Sequence, residues 1–166
     1  MYNQFIVNKF WIFSMSNDEQ INKIKADLCG LVSGDVLTDI FNRIAYSTDA
    51  SIYQIIPRCV VCVKNTGDAA AVVKYAADNG IPVTGRGSGS GLAGECLTSG
   101  IVIDFRRHMN RIIGVEDDGA RVTVQPGVVL ADLNKYLAQF GKKIGPDPSS
   151  GNRAVIGGVV ANNATG

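Results

Sequence analysis

Apolar positions along the chain follow two periods, and the changes from one to the other mark the elements. Ile21, Ile24 and Leu28 recur at helical spacing behind a capping box formed by Ser16 and Glu19, and Gly30 stops the run. A second helical pattern uses Val36, Leu37, Ile40, Phe41 and Ile44, so both stretches are expected to be packing helices. Residues 46–53 are polar and irregular. Residues 55–63 then form a continuous apolar run that reads as a buried strand, broken near its start by Pro57. Asn65, Thr66, Gly67 and Asp68 open a helix on which Ala69, Val72, Val73 and Ala76 are expected to share a face, with Gly80 at C′. Residues 81–84 and 101–105 are two further short strands. Strand, helix, strand, loop and strand in this order predict an α/β unit with parallel pairing.

Beyond residue 105 the pattern changes. Residues 111–116 and 120–125 flank Asp117, Asp118 and Gly119, a hairpin turn signal, and Val122 and Val124 alternate with Arg121, Thr123 and Gln125. A helix over 130–140 places Leu133, Leu137 and Phe140 on one side, and Gly141 ends it. Parallel pairing followed by antiparallel pairing predicts two lobes with a ligand between them.

The candidate chemistry lies in residues 82–95, P-V-T-G-R-G-S-G-S-G-L-A-G-E, where five glycines fall within ten residues. Backbone without Cβ atoms reaches left-handed conformations and can bring its N–H groups against anionic oxygens. Gly89 and Gly91 are the positions expected to need positive φ. A disordered linker is the alternative, but linkers are not followed at once by a buried apolar strand. Gly89, Gly91 and Gly94 also spell G-x-G-x-x-G, yet only residues 95–100 separate the loop from the next strand, which leaves no room for a Rossmann crossover helix. The phosphate-loop pattern fails too, because no Lys-Ser or Lys-Thr follows the glycines. The loop is therefore expected to hold a phosphate-bearing ligand with its own backbone. Residues 145–166 are a second concentration of glycine, small residues and turn formers, and two such segments suit a large cofactor touched along its length.

Composition narrows the picture only a little. The 166 residues are 46% hydrophobic and 19% charged, with a net charge of +1, as expected of a globular domain and without the basic footprint of nucleic-acid binding. Cys59 and Cys62 look like half a metal site, but residues three apart on a strand point to opposite faces, so buried, reduced cysteines are expected. A reducing compartment follows, giving a cytoplasmic location, soluble or peripheral to the inner face of the membrane. Residues 1–13 are too short to span a bilayer and lack a cleavage-site pattern, so no integral membrane segment is expected; Met15 is an alternative start.

Residues 82–95, Arg106 through Asn110, the Gln125-Pro126-Gly127 turn, Pro146 through Ser150, and Ile156-Gly157-Gly158 through Gly166 together resemble the FAD-binding oxidases of the vanillyl-alcohol oxidase and p-cresol methylhydroxylase (PCMH) superfamily. Within it they are most similar to the branch of glycolate oxidase D subunits and D-lactate dehydrogenases. The resemblance implies an α+β, two-lobed PCMH-type FAD-binding domain: a small parallel α/β lobe at 53–107, then the start of an antiparallel-sheet lobe from 108. Residues 1–15 would be an extension and 16–52 a helical segment. It implies that Arg86, Gly87, Ser88, Gly89, Ser90, Gly91 and Leu92 wrap the FAD pyrophosphate. Pro146, Asp147, Ser149, Ser150, Gly157, Gly158, Asn162, Thr165 and Gly166 would line the flavin and the rest of the pyrophosphate. Ser90 stands where some relatives carry a flavin-tethering histidine, so FAD is expected to be noncovalent.

What the resemblance implies for activity is oxidation of a small D-2-hydroxy acid of the lactate or glycolate type. Electrons would pass to a downstream acceptor, such as an iron–sulfur module in the same chain or a partner subunit. No catalytic residue is named, because the family's substrate-binding part lies beyond residue 166. The chain is accordingly expected to be a fragment, inactive alone. An alkylglycerone-phosphate synthase, a sugar-alcohol oxidase, and a non-catalytic nucleotide-binding module are the alternatives. His108 is expected to be a hydrogen-bonding surface or interlobe residue, and the Asn163 glycosylation sequon is discounted.

Overall fold

The computed structural model describes residues 17–165. Ser16 of the expected capping box, the N-terminal extension and Gly166 lie outside them. The first unit runs α1 (Asn17–Cys29), β1 (Asp35–Leu37), α2 (Ile40–Ala45), β2 (Cys59–Cys62), α3 (Thr66–Asp78), β3 (Val83–Arg86) and β4 (Ile101–Asp104). Its sheet has the order β1-β2-β4-β3, with β2, β4 and β3 parallel and β1 antiparallel on the edge. The parallel register aligns Cys59 with Ile101 and Val83 with Ile101, so β2, β4 and β3 end together at Cys62, Asp104 and Arg86. This common carboxyl end is where the glycine loop leaves.

Alternate residues of these short strands feed two cores. Cys59, Val61, Val63, Ile101 and Ile103 pack against Ile24 and Leu28 of α1 and against Val72, Tyr75 and Ala76 of α3, while Val60, Cys62 and Val102 face the other way, toward Leu37 and Tyr46. Each buried branched side chain contributes roughly 1.5–3 kcal/mol against about 1 kcal/mol net for a ladder hydrogen bond, so burial more than pairing holds four-residue strands in place. Cys59 and Cys62 fall on opposite faces, as their spacing requires, and among the described residues no group of metal-ligating side chains converges.

Four expectations change. The second apolar run is not one helix: Val36 and Leu37 join the sheet edge, and Asp39, whose carboxylate accepts from Asn42 N at 3.0 Å, starts a separate six-residue α2. Nor is α2 a packing helix, since it has no buried residue and Phe41 is 83% exposed. On α3, Val73 is 49% exposed and Tyr75 takes the core position, because at about 100° per residue the buried stripe centres on Val72, with Tyr75 and Ala76 close on its two sides and Val73 turned away from it. The strand expected over 55–63 shortens to Cys59–Cys62, its earlier half held off the sheet at Pro57.

The second unit is the hairpin of β5 (Ile112–Glu116) and β6 (Arg121–Val124), α4 (Leu130–Leu137) and α5 (Ile156–Ala161). The turn uses left-handed φ at Asp117, Asp118 and Gly119, as the D-D-G signal implies. Leu133 and Leu137 of α4 bury against the hairpin with Val128, and Gly141, at φ 66°, closes the helix end. Helix α5 is not foreseen by the pattern. Among the described residues no helix is long and apolar enough to cross a membrane.

Candidate functional site

The site is the gap between the carboxyl end of the parallel sheet and the segment carrying α5. Strand β3 ends at Arg86, and the chain then folds into the glycine loop with left-handed φ at Gly89 (67°) and Gly94 (79°). Gly91 is not left-handed, which corrects the expectation for that position; a Cβ there would meet the flexible Glu95 carboxylate. A Cβ on Gly87 would instead overlap the Val155 side chain, so Gly87 is where the two units come together.

The opposite wall is built by hydrogen bonds to the turn that follows β6. Gly157 N donates to Pro126 O at 2.8 Å and Ile156 N to Val128 O at 2.9 Å, fixing the start of α5. Gly127 N in turn donates to Met109 O at 2.7 Å. A tight turn over 148–154 completes it, with Gly151 N on Pro148 O at 2.8 Å and Ala154 N on Ser150 O at 2.7 Å.

Between these walls lies a cavity of about 500 Å³, in the range of small-molecule sites. Arg86, Gly87, Ser88, Gly89, Ser90 and Gly91 line it from one side, and Ser150, Gly157, Gly158 and Asn162 from the other. Leu92 turns outward, 78% exposed, and Pro146, Asp147, Ser149 and Thr165 do not line the cavity. Asp147 forms an exposed ion pair with Lys143 at 3.7 Å instead. Cys96, Phe105, Pro126 and Val155 also line the cavity. Pro126 belongs to the Gln125-Pro126-Gly127 turn read from the sequence, whereas no local motif announces Cys96, Phe105 or Val155, because it is topology that brings them there.

The loop presents donors with little fixed charge. Within the described residues the backbone N–H groups of 88–92 donate to no acceptor, whereas Ala93 N is taken by Glu95 Oε2 at 3.3 Å. Ser88 Oγ and Ser90 Oγ lie 3.4 Å apart. A concave run of unpaired N–H groups is an anion cradle. Arg86 supplies the loop's cation, but its Nη1 donates to Tyr46 O at 3.4 Å and to Cys96 Sγ at 3.5 Å. Burial pushes the Cys96 thiol above its ordinary value. His108 stands elsewhere, its Nε2 at 2.8 Å from Asp35 Oδ2 on β1, where that hydrogen bond lowers the aspartate.

Comparison with known proteins places these features. The family model described as an FAD binding domain matches residues 57–166. The D-2-hydroxyglutarate dehydrogenase of Escherichia coli (strain K12) is 40% identical over 137 residues, covering 81% of this chain and 14% of that protein. Glycolate oxidase subunit GlcD of Bacillus subtilis (strain 168) is 34% identical over 126 residues, 75% of this chain and 27% of that protein. The fold of an alkyldihydroxyacetonephosphate synthase superposes with a TM-score of 0.75 at 22% identity, over 87% of this chain and 30% of that one. The chain thus spans a small part of the length of the relatives it matches.

Proposed function

Because the chain belongs to the FAD binding domain family, we propose that its glycine loop and α5 segment form the FAD site of an oxidoreductase acting on a small D-2-hydroxy acid. The observation that carries this reading is the cavity itself, with the unpaired N–H groups of 88–91 on one wall and Gly157 and Gly158 on the other. The residues fit the cofactor. Arg86 through Gly91 are the pyrophosphate wall; Ser150 and Asn162 offer side-chain hydrogen bonds along the rest, and Gly158 leaves open space where a flat ring can approach. Pro146, Asp147, Ser149, Thr165 and Gly166 remain members of the proposed site as flanks of the same segment. Bound FAD supplies the redox chemistry, acceptance of a hydride from a hydroxyl-bearing carbon.

FAD is proposed to be noncovalent, since Ser90 offers no tether. The relatives named for D-2-hydroxyglutarate and glycolate support a hydroxy-acid substrate. The four cysteines are free thiols, which supports a reducing, cytoplasmic location. Electrons are proposed to leave the flavin for a downstream acceptor, with an iron–sulfur module as the candidate.

The test uses protein expressed from its complete coding sequence, loaded with FAD and kept anaerobic. Adding D-2-hydroxyglutarate, D-lactate or glycolate in turn should bleach the oxidised-flavin absorbance with at least one of them, and L-2-hydroxyglutarate or L-lactate should not. Flavin that stays oxidised with every 2-hydroxy acid would remove the proposed substrate class.

A further inference from the structure

Arg86 is the one cation of the glycine loop, and its obvious role is to pair with a phosphate. The geometry points to a different one. The guanidinium lies against Gly89: a Cβ built on Gly89 would meet Arg86 Cζ at 2.9 Å and Nε at 3.4 Å, so the arginine fills the space a side chain would occupy there. On its other side Cζ stands 5.3 Å from the centroid of the Tyr46 ring, in a cation–π contact. Nη1 is spent on Tyr46 O and Cys96 Sγ, and Cys96 Sγ lies 3.7 Å from Asp49 Oδ2. The ring is itself fixed, because Tyr46 OH donates to Asp104 Oδ2 at 2.9 Å, and Asp104 is buried at the end of β4.

Asp104, Tyr46, Arg86 and Gly89 therefore form one stack from the sheet to the loop. Neither Tyr46 nor Asp49 lines the cavity onto which the loop opens. We propose that Arg86 is a positioning residue: it props Gly89 in its left-handed conformation so that the N–H groups of 88–91 converge on the phosphates, and it does not itself neutralise them. The inference rests on the reading that this loop holds the FAD pyrophosphate. It makes the loop's affinity depend on Tyr46, a residue that does not line that cavity.

The experiment measures the FAD dissociation constant by flavin fluorescence, at several salt concentrations, for the protein expressed from its complete coding sequence. Arg86→Ala, Arg86→Lys, Tyr46→Leu and the double variant Arg86→Ala/Tyr46→Leu are compared, each checked for folding by circular dichroism. A prop needs the planar guanidinium, so Arg86→Lys should bind FAD as weakly as Arg86→Ala, each about tenfold weaker than the parent. Tyr46→Leu should also weaken binding, and the double variant should be no worse than Arg86→Ala alone, because both remove the same stack. The salt dependence should stay that of the parent, since no phosphate contact is lost.

Recovery of affinity in Arg86→Lys, or a flatter salt dependence in Arg86→Ala, would mean a direct point charge and overturn the proposal. So would parental affinity in Arg86→Ala or in Tyr46→Leu. The lysine comparison decides alone if Tyr46→Leu does not fold. Ser88→Asp separates the two readings: it puts a carboxylate in the loop without touching the stack. Parental FAD affinity in Ser88→Asp would show that the loop is not the pyrophosphate site at all, and both readings would fall.

Discussion

Asp68 shows how much one side chain holds together away from the site. Its carboxylate accepts from Ser33 N at 3.0 Å and Lys64 N at 2.9 Å, from Ser33 Oγ, and from Asn65 Nδ2 at 3.3 Å, and the residue is only 5% exposed. It joins the approach to β1, the exit of β2 and the start of α3. Burial alone would raise its pKa, but the hydrogen bonds from Ser33, Lys64 and Asn65 outweigh burial and the net direction is down. A carboxyl with a lower pKa in the folded than in the unfolded state adds stability above the unfolded value of about 3.9 and loses it as pH falls through the folded value. Asp68→Asn turns an acceptor into a donor facing N–H groups and should cost about 2–4 kcal/mol at neutral pH. Urea midpoints at neutral pH and well below the unfolded pKa check this. The gap between parent and variant should narrow in acid, and a gap that is constant with pH would mean the charge contributes nothing.

At the scale of elements, α5 carries two adjacent glycines with different reasons to be glycine. A Cβ on Gly157 would meet Pro126 Cβ at 2.8 Å and Pro126 O at 3.0 Å, so Gly157→Ala should force α5 off its turn and cost about 1–3 kcal/mol. A Cβ on Gly158 would meet nothing closer than Val155 Cγ2 at 3.9 Å, and alanine in a helix is favoured over glycine by about 0.8–1.0 kcal/mol. Gly158→Ala should therefore raise the melting temperature of the FAD-free protein while weakening FAD several-fold. Parental FAD affinity in that variant would mean the cofactor does not approach this part of α5. The same helix shows where sequence reading stops. The core strands, α1, α3, the hairpin and α4 were legible because burial imposes period and caps mark ends. Helix α5, with Ile-Gly-Gly-Val-Val-Ala, has poor intrinsic propensity and exists because Pro126 and Val128 anchor its start from far along the chain. Strand β1 is three residues long, too short to show a period, so Val36 and Leu37 merged into the helical pattern beside them. The glycine loop was legible in composition, but the packing of Arg86 under Gly89 depends on Tyr46, which only the fold brings near.

Across the whole molecule, the cavity joins chemistry from both units, and the groups available to tether a flavin can be followed one by one. A tether needs a nucleophilic side chain at the cavity. The chain's one histidine, His108, does not line it and is hydrogen-bonded to Asp35 at the far edge of the first sheet. Thr84, Ser88, Ser90 and Ser150 line it, but an unactivated hydroxyl is a weak nucleophile. Cys96 also lines it, yet burial raises its pKa despite the nearby Arg86, so the thiol stays protonated near neutral pH, and the thiolate is the reactive form. The positive charge of Arg86 pulls the other way and is not enough. FAD in the protein expressed from its complete coding sequence is therefore expected to be released by denaturation. Precipitation with acid should leave yellow flavin in the supernatant and a colourless pellet. Flavin that stays with the precipitated chain would contradict noncovalent binding. In that case Cys96→Ser separates a tether in this cavity from one supplied elsewhere: it frees the flavin only if Cys96 holds it.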